Sequence, residues 1–481
     1  MKYLSLLLFA FILFACPTPP LDEPAEEGFT PVALSNTVEL RTKRDSLVYD
    51  TRFPASKYLD QLPELSVPRS YTVIRPESYK NWSECLAANK YMKLLPGDYT
   101  GWGQIISAVS GTETDPVIIR YADTSEVSAY KLRGTTKEAV IEGLRLEGVS
   151  NIIITGITIR GKGDSRNGVI GGMKNSIKDC KNIVLDFCNI ENVTVAAIRM
   201  INVVGCSVQN CVFQQFYREL SGDGGAVSIQ ALRNRTSYGN RLINNEIINF
   251  NDGMGFPREG NQTGADNDVV GECLDNVFEN NDIYITDLLY NPDGTACAEN
   301  SMDFKNGTKS NSHNLVISNR LSGNRPTGAD CGSSGSNGCF ISLHRAASGI
   351  DFKSNIFYDG AVGFNILQSD NKFPGESMEN LNISNNLFFD LNAGRSAGFI
   401  MANTAGISLC TVKGGQDGVF ISNPKANTTG VIKNLFVAVK NVDSKLTAKN
   451  RYVTGIGYRD YLFYARRWTG PVQVTAKGVI K

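Results

Sequence analysis

The sequence predicts an all-β fold, a single-domain right-handed parallel β-helix with an N-terminal cap, Asn-rich turns and long groove loops. Three observations support this prediction. From about residue 140 a pattern recurs that reads apolar, any, apolar, polar, Asn, Asn, any, apolar. Most copies are roughly 23 to 36 residues apart, a spacing typical of solenoids. A second short strand lies between successive copies, so each coil contributes at least two strands.

Each copy of the pattern is interpreted as a strand that ends in a turn. Alternation with period two indicates a strand, and the recurring Asn pair indicates a stereotyped turn. The clear copies are "NRLINNEI" (240–247), "NVFENNDI" (276–283), "IDFKSNIF" (350–357) and "LNISNNLF" (381–388), and degenerate copies occupy 152–159, 183–190 and 206–213. The second strands are 197–201, 227–230, 254–257, 302–305, 341–344 and 364–367. A β-propeller or a β-sandwich fits this repeat less well.

The turns also predict how side chains stack. Asn side chains at equivalent turn positions can form hydrogen-bonded ladders along the stack. Cys188 and Cys211 occupy the second Asn position of their copies, so we expect them to be neighbours, either as a disulfide or as stacked free thiols. Elsewhere, Cys331 and Cys339 flank "GSSGSNG", a loop that a disulfide could close.

The two ends of the chain differ from the repeats. Lys2 precedes a short apolar stretch that ends in "LFAC", which resembles the bacterial lipoprotein box and implies lipidation of Cys16. An ordinary secretory signal is the alternative. We therefore assign the chain to a lipoprotein signal peptide (1–15), a lipidated Cys and disordered tether (16–35), an N-terminal cap with the first coils (36–139), the β-helix with its groove loops (140–440) and a C-terminal cap (441–481).

Charge and targeting together restrict the partners. The 48 Lys and Arg balance the 48 Asp and Glu, so the net charge is zero. This balance argues against a broad basic surface for nucleic acid. We expect a monomer in the bacterial cell envelope, at the outer membrane or cell surface, that touches the membrane only through its lipid anchor.

Strand register selects one candidate site, in "ENSMDFK" (299–305). Alternation places Met302 and Phe304 in the core, so Asp303 and Lys305 must face outward. Two outward columns result, one with Ser228, Asp303, Ser342 and Asn365 and the other with Gln230, Lys305 and His344. Large insertions at 258–272, 290–300 and 325–338 are expected to wall a groove beside these columns.

Two segments before the repeats carry a resemblance to a known family. "LLPGDYTGWGQIISAVSGTETDPVIIRYAD" (94–123) and "VIEGLRLEGVSNIIITGITIRG" (140–161) resemble the opening of single-domain β-helix polysaccharide lyases, in the chondroitinase B and alginate lyase group and the pectate lyase nine group. The resemblance implies β-elimination on an acidic polysaccharide, with a lysine base and usually calcium. The paired glutamates and the closely spaced aspartates of those groups are missing here, so no calcium site transfers residue by residue.

On this hypothesis the outward residues take the following roles. Lys305, with its pKa lowered by nearby cations, removes the proton next to the uronate carboxylate. Arg345 or Arg325 pairs with that carboxylate, and His344 protonates the departing sugar oxygen. Asp303 and Glu299, with Asp266 or Asp268 as further candidates, hold calcium through oxygen ligands. Gln230, Ser342 and Asn365 contact the substrate.

Less specific interpretations stand beside this one. Lys305 could be an ordinary solvated lysine, Asp303 with Lys305 and His344 a surface charge cluster, and Glu299 a turn residue. A glycoside hydrolase would need a second carboxylate opposite Asp303, which we expect from a loop. A lipid-anchored glycan-binding or adhesion module would use the same ladder of polar side chains without catalysis.

Overall fold

The computed structural model describes the chain from residue 70 to residue 453 with gaps. The described residues are 70–107, 109–121, 129–161, 176–191, 196–216, 225–232, 234–256, 271–305, 311–328, 331, 338–344, 347–367, 381–384, 386–391, 431–432, 435–437 and 451–453. The predicted signal peptide, Cys16 and the predicted tether lie outside them. Among these residues no helix has the length and apolar character that crossing a bilayer requires.

Three parallel sheets confirm the predicted right-handed parallel β-helix. Each coil passes through sheet A, then sheet B, then sheet C. Sheet A contains β1 (Thr72–Ile74), β2 (Tyr91–Leu94), β5 (Val117–Tyr121), β8 (Ser150–Thr155), β11 (Lys181–Asp186), β14 (Ser207–Gln209), β18 (Arg241–Ile243), β22 (Val277–Glu279), β25 (Asn314–Ile317), β28 (Ile350–Lys353), β31 (Leu381–Ser384) and β33 (Val431–Ile432).

The other two sheets complete the coils. Sheet B contains β3 (Gly97–Asp98), β6 (Ala139–Ile141), β9 (Thr158–Arg160), β12 (Asn189–Glu191), β15 (Val212–Gln214), β19 (Glu246–Ile248), β23 (Asp282–Tyr284), β26 (Arg320–Ser322), β29 (Ile356–Gly360), β32 (Leu387–Leu391), β34 (Leu435–Val437) and β35 (Arg451–Val453). Sheet C contains β4 (Ile105–Ser107), β7 (Leu144–Glu147), β10 (Ser176–Lys178), β13 (Ala196–Ile201), β16 (Gly225–Gln230), β20 (Asp252–Phe256), β24 (Asn300–Phe304), β27 (Cys339–His344) and β30 (Val362–Leu367). A small pair, β17 (Thr236–Tyr238) and β21 (Glu272–Leu274), lies beside them.

The two residues of each Asn pair have different structural roles. At the corner between sheets A and B, the first residue adopts a left-handed conformation, as in Asn244 (φ 55°), Asn280 (φ 54°) and Ser354 (φ 55°). Asn tolerates this region better than most side chains do. The second residue is buried and forms a ladder, in which each Nδ2 donates to the next Oδ1 at 2.9–3.0 Å: Asn245, Asn281, Asn319, Asn355 and Asn386.

A second ladder stabilises the corner between sheets C and A. Asn240, Asn276 and Asn314 are linked by amide hydrogen bonds of 2.9 and 3.0 Å. A cysteine precedes the first Asn of each ladder. The Cys211 N–H donates to the Asn245 Oδ1 of the first ladder, and the Cys206 N–H donates to the Asn240 Oδ1 of the second. The predicted neighbour of Cys211 is confirmed: Asn189 pairs with Val212, which places Cys188 beside Cys211, and both are free thiols.

A short helix and aromatic side chains cover the first coils. Helix α1 (Trp82–Ala88) begins at Asn81, whose side chain accepts the Glu84 N–H at 2.9 Å. Trp82 packs edge-on against Trp102 at 4.9 Å between ring centroids and joins the main core. A 3-10 turn (Thr100–Trp102) and helix α2 (Ala129–Leu132) complete the helical structure among the described residues. These elements lie within residues 36–139, whose assignment to a cap and the first coils stays a prediction.

The suggested disulfide between Cys331 and Cys339 is wrong. Cys331 is bonded to Cys297, with the two Cα atoms 5.2 Å apart. Cys339 is instead the first residue of β27, where its thiol is buried and donates to the Asn300 Oδ1 at 2.7 Å. Flanking a loop in sequence did not identify the partner, because the bonded cysteine belongs to the preceding coil.

Candidate functional site

The first predicted column is present on the outer face of sheet C. Met302 and Phe304 are buried in the main core, so Asp303 between them faces outward. In the register Ser228 pairs with Gly255, Gly255 with Asp303, Asp303 with Ser342, and Ser342 with Asn365: the predicted order, with Gly255 added. The side chain of Asn365 is outside the described set.

Gly255 is required beside Asp303. Its φ is 150°, and a Cβ at this position would lie 1.9 Å from the Asp303 carbonyl oxygen. Any other residue would therefore displace the backbone of the site strand.

The second predicted column holds Gln230, Lys305 and His344. The Lys305 N–H donates to the Phe256 carbonyl at 3.1 Å, so Lys305 continues β24 by one residue. Phe304 pairs with Leu343, and the next position therefore places Lys305 beside the backbone of His344. The His344 side chain and all of Arg345 lie outside what the structure describes, and their predicted roles stay predictions.

Asp303 and Lys305 form an ion pair that is almost fully buried. The Lys305 Nζ lies 3.0 Å from the Asp303 Oδ2, and the two side chains are 11% and 2% exposed. Lys305 is therefore not an ordinary solvated lysine, and Ser228, Gln230 and Ser342 on the same face are buried as well. Burial of an ion pair costs free energy that two apolar residues would not. Such a pair on the outer face of a scaffold therefore marks a candidate active site.

Sequence reasoning missed a second carboxylate in this sheet. Asp252, which is 3% exposed, is the first residue of β20 and pairs with Asn300 on β24. The Asn300 Nδ2 donates to the Asp252 Oδ1 at 3.3 Å, and the Cys339 thiol donates to Asn300. Cys339 packs with Ala361 and Val362, in a cluster separate from the main core. This row therefore lies outside the main core, beside the two columns.

A signal for Asp252 was present in the sequence. "NDGMGFP" (251–257) aligns with "ENSMDFK" (299–305) through their methionines, and this alignment places Asp252 at the position of Asn300. Glu299 precedes β24, is partly exposed, and its N–H donates to the Asn251 carbonyl at 2.9 Å. It occupies the turn that enters the strand, and its predicted role as a calcium ligand is untested.

Two of the three predicted wall segments form one lobe at the edge between sheets B and C. The Cys297–Cys331 disulfide joins them, and the Ala296 N–H donates to the Pro326 carbonyl at 2.9 Å. The Arg325 guanidinium lies over the Tyr290 ring, 5.3 Å from its centroid, and the residue is 2% exposed. Arg325 is thus buried within this lobe. The third segment lies mostly outside the described residues.

A side-chain hydrogen bond joins the two columns. The Gln230 Nε2 donates to the Ser228 Oγ at 3.3 Å, so these two side chains of neighbouring columns support each other. No group of three or more His, Cys, Asp or Glu that could hold a metal occurs in the described part of the chain. The predicted calcium site remains a prediction: of its proposed ligands that the structure describes, Asp303 is buried and Glu299 is partly exposed.

No family model and no curated protein sequence matches the chain. Among solved structures, it is similar to an exopolygalacturonase from Thermotoga maritima (11% identity, TM-score 0.36, covering 58% of this chain and 53% of that chain). It is also similar to PfbA, a surface adhesin of Streptococcus pneumoniae (10%, 0.43, 76% and 85%), and to pectate lyase Pel9A (12%, 0.41, 71% and 79%). This chain thus spans about half the length of the exopolygalacturonase.

Proposed function

We propose that the protein is a polysaccharide lyase that cleaves an acidic, uronic-acid-containing polysaccharide by β-elimination. The observation that supports this proposal most is the buried pair of Lys305 and Asp303 on the outer face of sheet C, with the nitrogen and oxygen 3.0 Å apart. A strand-mounted lysine is held rigidly, as a catalytic base must be. The disulfide-bonded lobe at the edge between sheets B and C would form one wall of a substrate groove.

The ion pair suggests how the base is controlled. β-Elimination removes the proton on the carbon next to the uronate carboxylate, and the negative charge that develops must be neutralised. The neutral amine of Lys305 takes this proton, but a carboxylate at 3.0 Å favours the charged ammonium. Asp303 must therefore bind another cation before Lys305 can act as a base.

Calcium would meet this requirement. Asp303 with Glu299 would supply its oxygen ligands, and the ion would neutralise the substrate carboxylate. With Asp303 bound to the ion, Lys305 would be able to lose its proton. Arg345, or Arg325 if the lobe opens, pairs with the carboxylate, and His344 returns a proton to the departing sugar oxygen. Ser342, Gln230 and Asn365 position the sugar ring.

Asp252 favours a second candidate, a glycoside hydrolase. Asp252 and Asp303 are both buried, and they lie on the neighbouring strands β20 and β24. Glycoside hydrolases use two carboxylates on either side of the bond that they cleave. From the sequence we expected the second carboxylate of a hydrolase to come from a loop. Because Asp252 lies on a strand, a hydrolase would not need that loop residue.

One assay separates the two enzymes. The protein is incubated with polygalacturonate, alginate or chondroitin sulfate, with calcium or with chelator, and both ultraviolet absorbance and new reducing ends are followed. A lyase generates an unsaturated uronate that absorbs in the ultraviolet, and we expect Lys305→Ala to abolish it. Lys178→Ala is the matched control, because Lys178 lies on β10 of the same sheet but is 38% exposed and pairs with Glu147.

The alternatives give different patterns. Reducing ends without ultraviolet absorbance, lost in both Asp252→Asn and Asp303→Asn, would establish the hydrolase and refute the lyase. Binding without either product, by a correctly folded protein, would establish a glycan-binding module. Equal loss of product in Lys305→Ala and Lys178→Ala would contradict the assignment of the base.

A further inference from the structure

A shallow groove of about 380 Å³ lies on the outer face of sheet A, away from the site on sheet C. Its floor is aliphatic and its rim is polar and charged. The floor is formed by Ile153 and Val184, and the rim by Glu113, Asn151, Asn182 and Arg241. Nothing in the proposed lyase chemistry uses these residues.

The amide rim of this groove is preformed. Asn151 and Asn182 both adopt left-handed conformations, with φ of 54° and 53°, and the Asn182 Nδ2 donates to the Asn151 Oδ1 at 2.9 Å. Asn151 in turn donates to the Gly111 carbonyl at 3.0 Å, which fixes the segment 109–116 across the edge of the sheet. The next position along the row is Gly205, where a Cβ would lie 2.8 Å from the Asn182 Oδ1.

The groove belongs to a longer row of outward side chains that runs across six strands. In register order the row is Tyr91, Ile118, Ile153, Val184, Ser207 and Arg241. Five strand spacings separate its ends, about 24 Å. The row changes from an aromatic ring through three β-branched side chains to a hydroxyl and a guanidinium.

Cations predominate around this row. Lys93 and Arg120 both lie over the Tyr71 ring at 5.4 Å, and Tyr71 packs against Tyr91 with ring centroids 6.0 Å apart. Two nearby carboxylates have cationic partners, since Glu113 lies 3.4 Å from Lys181 and Asp115 pairs with Lys90. A third, Asp186, accepts a hydrogen bond from the Asn210 side chain. Together with Arg241 the surface carries more positive than negative charge, which suits an anionic ligand.

We propose that this row is a second, non-catalytic binding site for an anionic polysaccharide chain that lies across the coils of sheet A. Ile118, Ile153 and Val184 are 1–7% exposed, so a sugar ring would stack its apolar face on Tyr91, which is partly exposed, and would touch only the edges of the aliphatic floor. The rim amides would bind hydroxyl groups, and Arg241 would pair with a carboxylate or sulfate. The inference goes beyond the proposed lyase, because the row lies on a different sheet from Lys305.

Hydrogen exchange locates such a site directly. The full chain carrying Lys305→Ala, which cannot degrade the polymer by the proposed mechanism, is mixed with polygalacturonate, alginate or chondroitin sulfate. We expect at least one polymer to slow amide exchange over 109–116. Adding Arg241→Gln or Tyr91→Ala should weaken binding about tenfold, the equivalent of one lost charged or stacking contact. Lys353→Gln, on β28 of the same sheet but outside the row, should bind like the parent protein.

The outcomes distinguish this proposal from the lyase. A polymer that forms the unsaturated product without slowing exchange over 109–116 would overturn the second site and leave the lyase intact. If a polymer slowed exchange over 109–116 but the unmutated protein formed no product from it, the second site would be supported and the lyase would be contradicted for that polymer. The second site would also be overturned if the polymers protected only sheet C or protected no segment. The same conclusion would follow if both folded variants, Arg241→Gln and Tyr91→Ala, bound like the parent protein.

Discussion

The replacement Asp186→Asn is expected to stabilise the protein, and only at neutral and alkaline pH. Asp186 ends β11 on the outer face of sheet A and is 9% exposed. Burial raises the pKa of its carboxyl from 3.8 to about 6, although the Asn210 side chain donates to its Oδ1 at 2.8 Å. The charged form is thus less stable in the folded protein than in the unfolded chain.

The sign and size of the effect follow from linkage. The folded protein holds the Asp186 proton at a higher pH than the unfolded chain, so stability falls as pH rises from about 4 to about 6 and then stays constant. A difference of about two pH units corresponds to about 3 kcal/mol. Asn is neutral, has nearly the same shape, and can still accept the Asn210 hydrogen bond. The variant should therefore gain up to about 3 kcal/mol at pH 8 and little at pH 4.

Urea unfolding at several pH values measures this difference. Asp179→Asn is the matched control, because the Asp179 pKa is lowered by hydrogen bonds from Arg235 and Asn202 that outweigh its partial burial. That variant should lose stability at neutral pH and match the unmutated protein in acid, the opposite sign. If Asp186→Asn changed stability equally at all pH values, or lowered it at pH 8, the pKa argument for Asp186 would be refuted.

Three further outcomes test other features. Asn281→Gly removes four ladder hydrogen bonds and should cost more than about 3 kcal/mol in urea unfolding. Asn280→Gly, at a left-handed position, should stay within about 1 kcal/mol, and equal costs would contradict the division of roles. Replacing Cys297 and Cys331 by Ser opens a link between residues 34 apart and should cost roughly 3–4 kcal/mol. If the lobe of this double variant were cleaved by protease at an unchanged rate, the disulfide would not be what stabilises the lobe. Gly255→Ala should lower thermal stability by roughly 1–3 kcal/mol and reduce activity, and an unchanged melting temperature would show that the backbone adapts.

The fold was predictable because its two signals are local. Each Asn pair fixes a turn by a left-handed first residue and a buried second residue, and alternation fixes which side chains enter the core. The same alternation gave the register of Asp303 and Lys305. Since register depends only on counting residues along strands, it survived long insertions between the copies.

The other features of the site depend on three-dimensional contacts, which counting residues along the strands does not reveal. The Asp303–Lys305 pair faces outward, as predicted, but its burial results from the three-dimensional packing around sheet C. The partner of Cys331 comes from the previous coil, and loop geometry rather than spacing selects it. Asp252 was overlooked because the strand was predicted to begin only at residue 254, whereas β20 begins at Asp252. The row on sheet A was also missed, since its members are spread over six coils.

The corner between sheets A and B has consequences for how such a chain can change. From β8 onward that corner keeps a two-residue turn in each described coil, as at Asn244–Asn245 and Asn280–Asn281. Both edges of sheet C instead accept segments of very different length, including the lobe closed by Cys297 and Cys331. Lengthening a loop twofold costs only about 0.6 kcal/mol in closure entropy. New loops can therefore be acquired or exchanged around the site while the Asn ladders preserve the stack, so specificity can diverge without a change of scaffold.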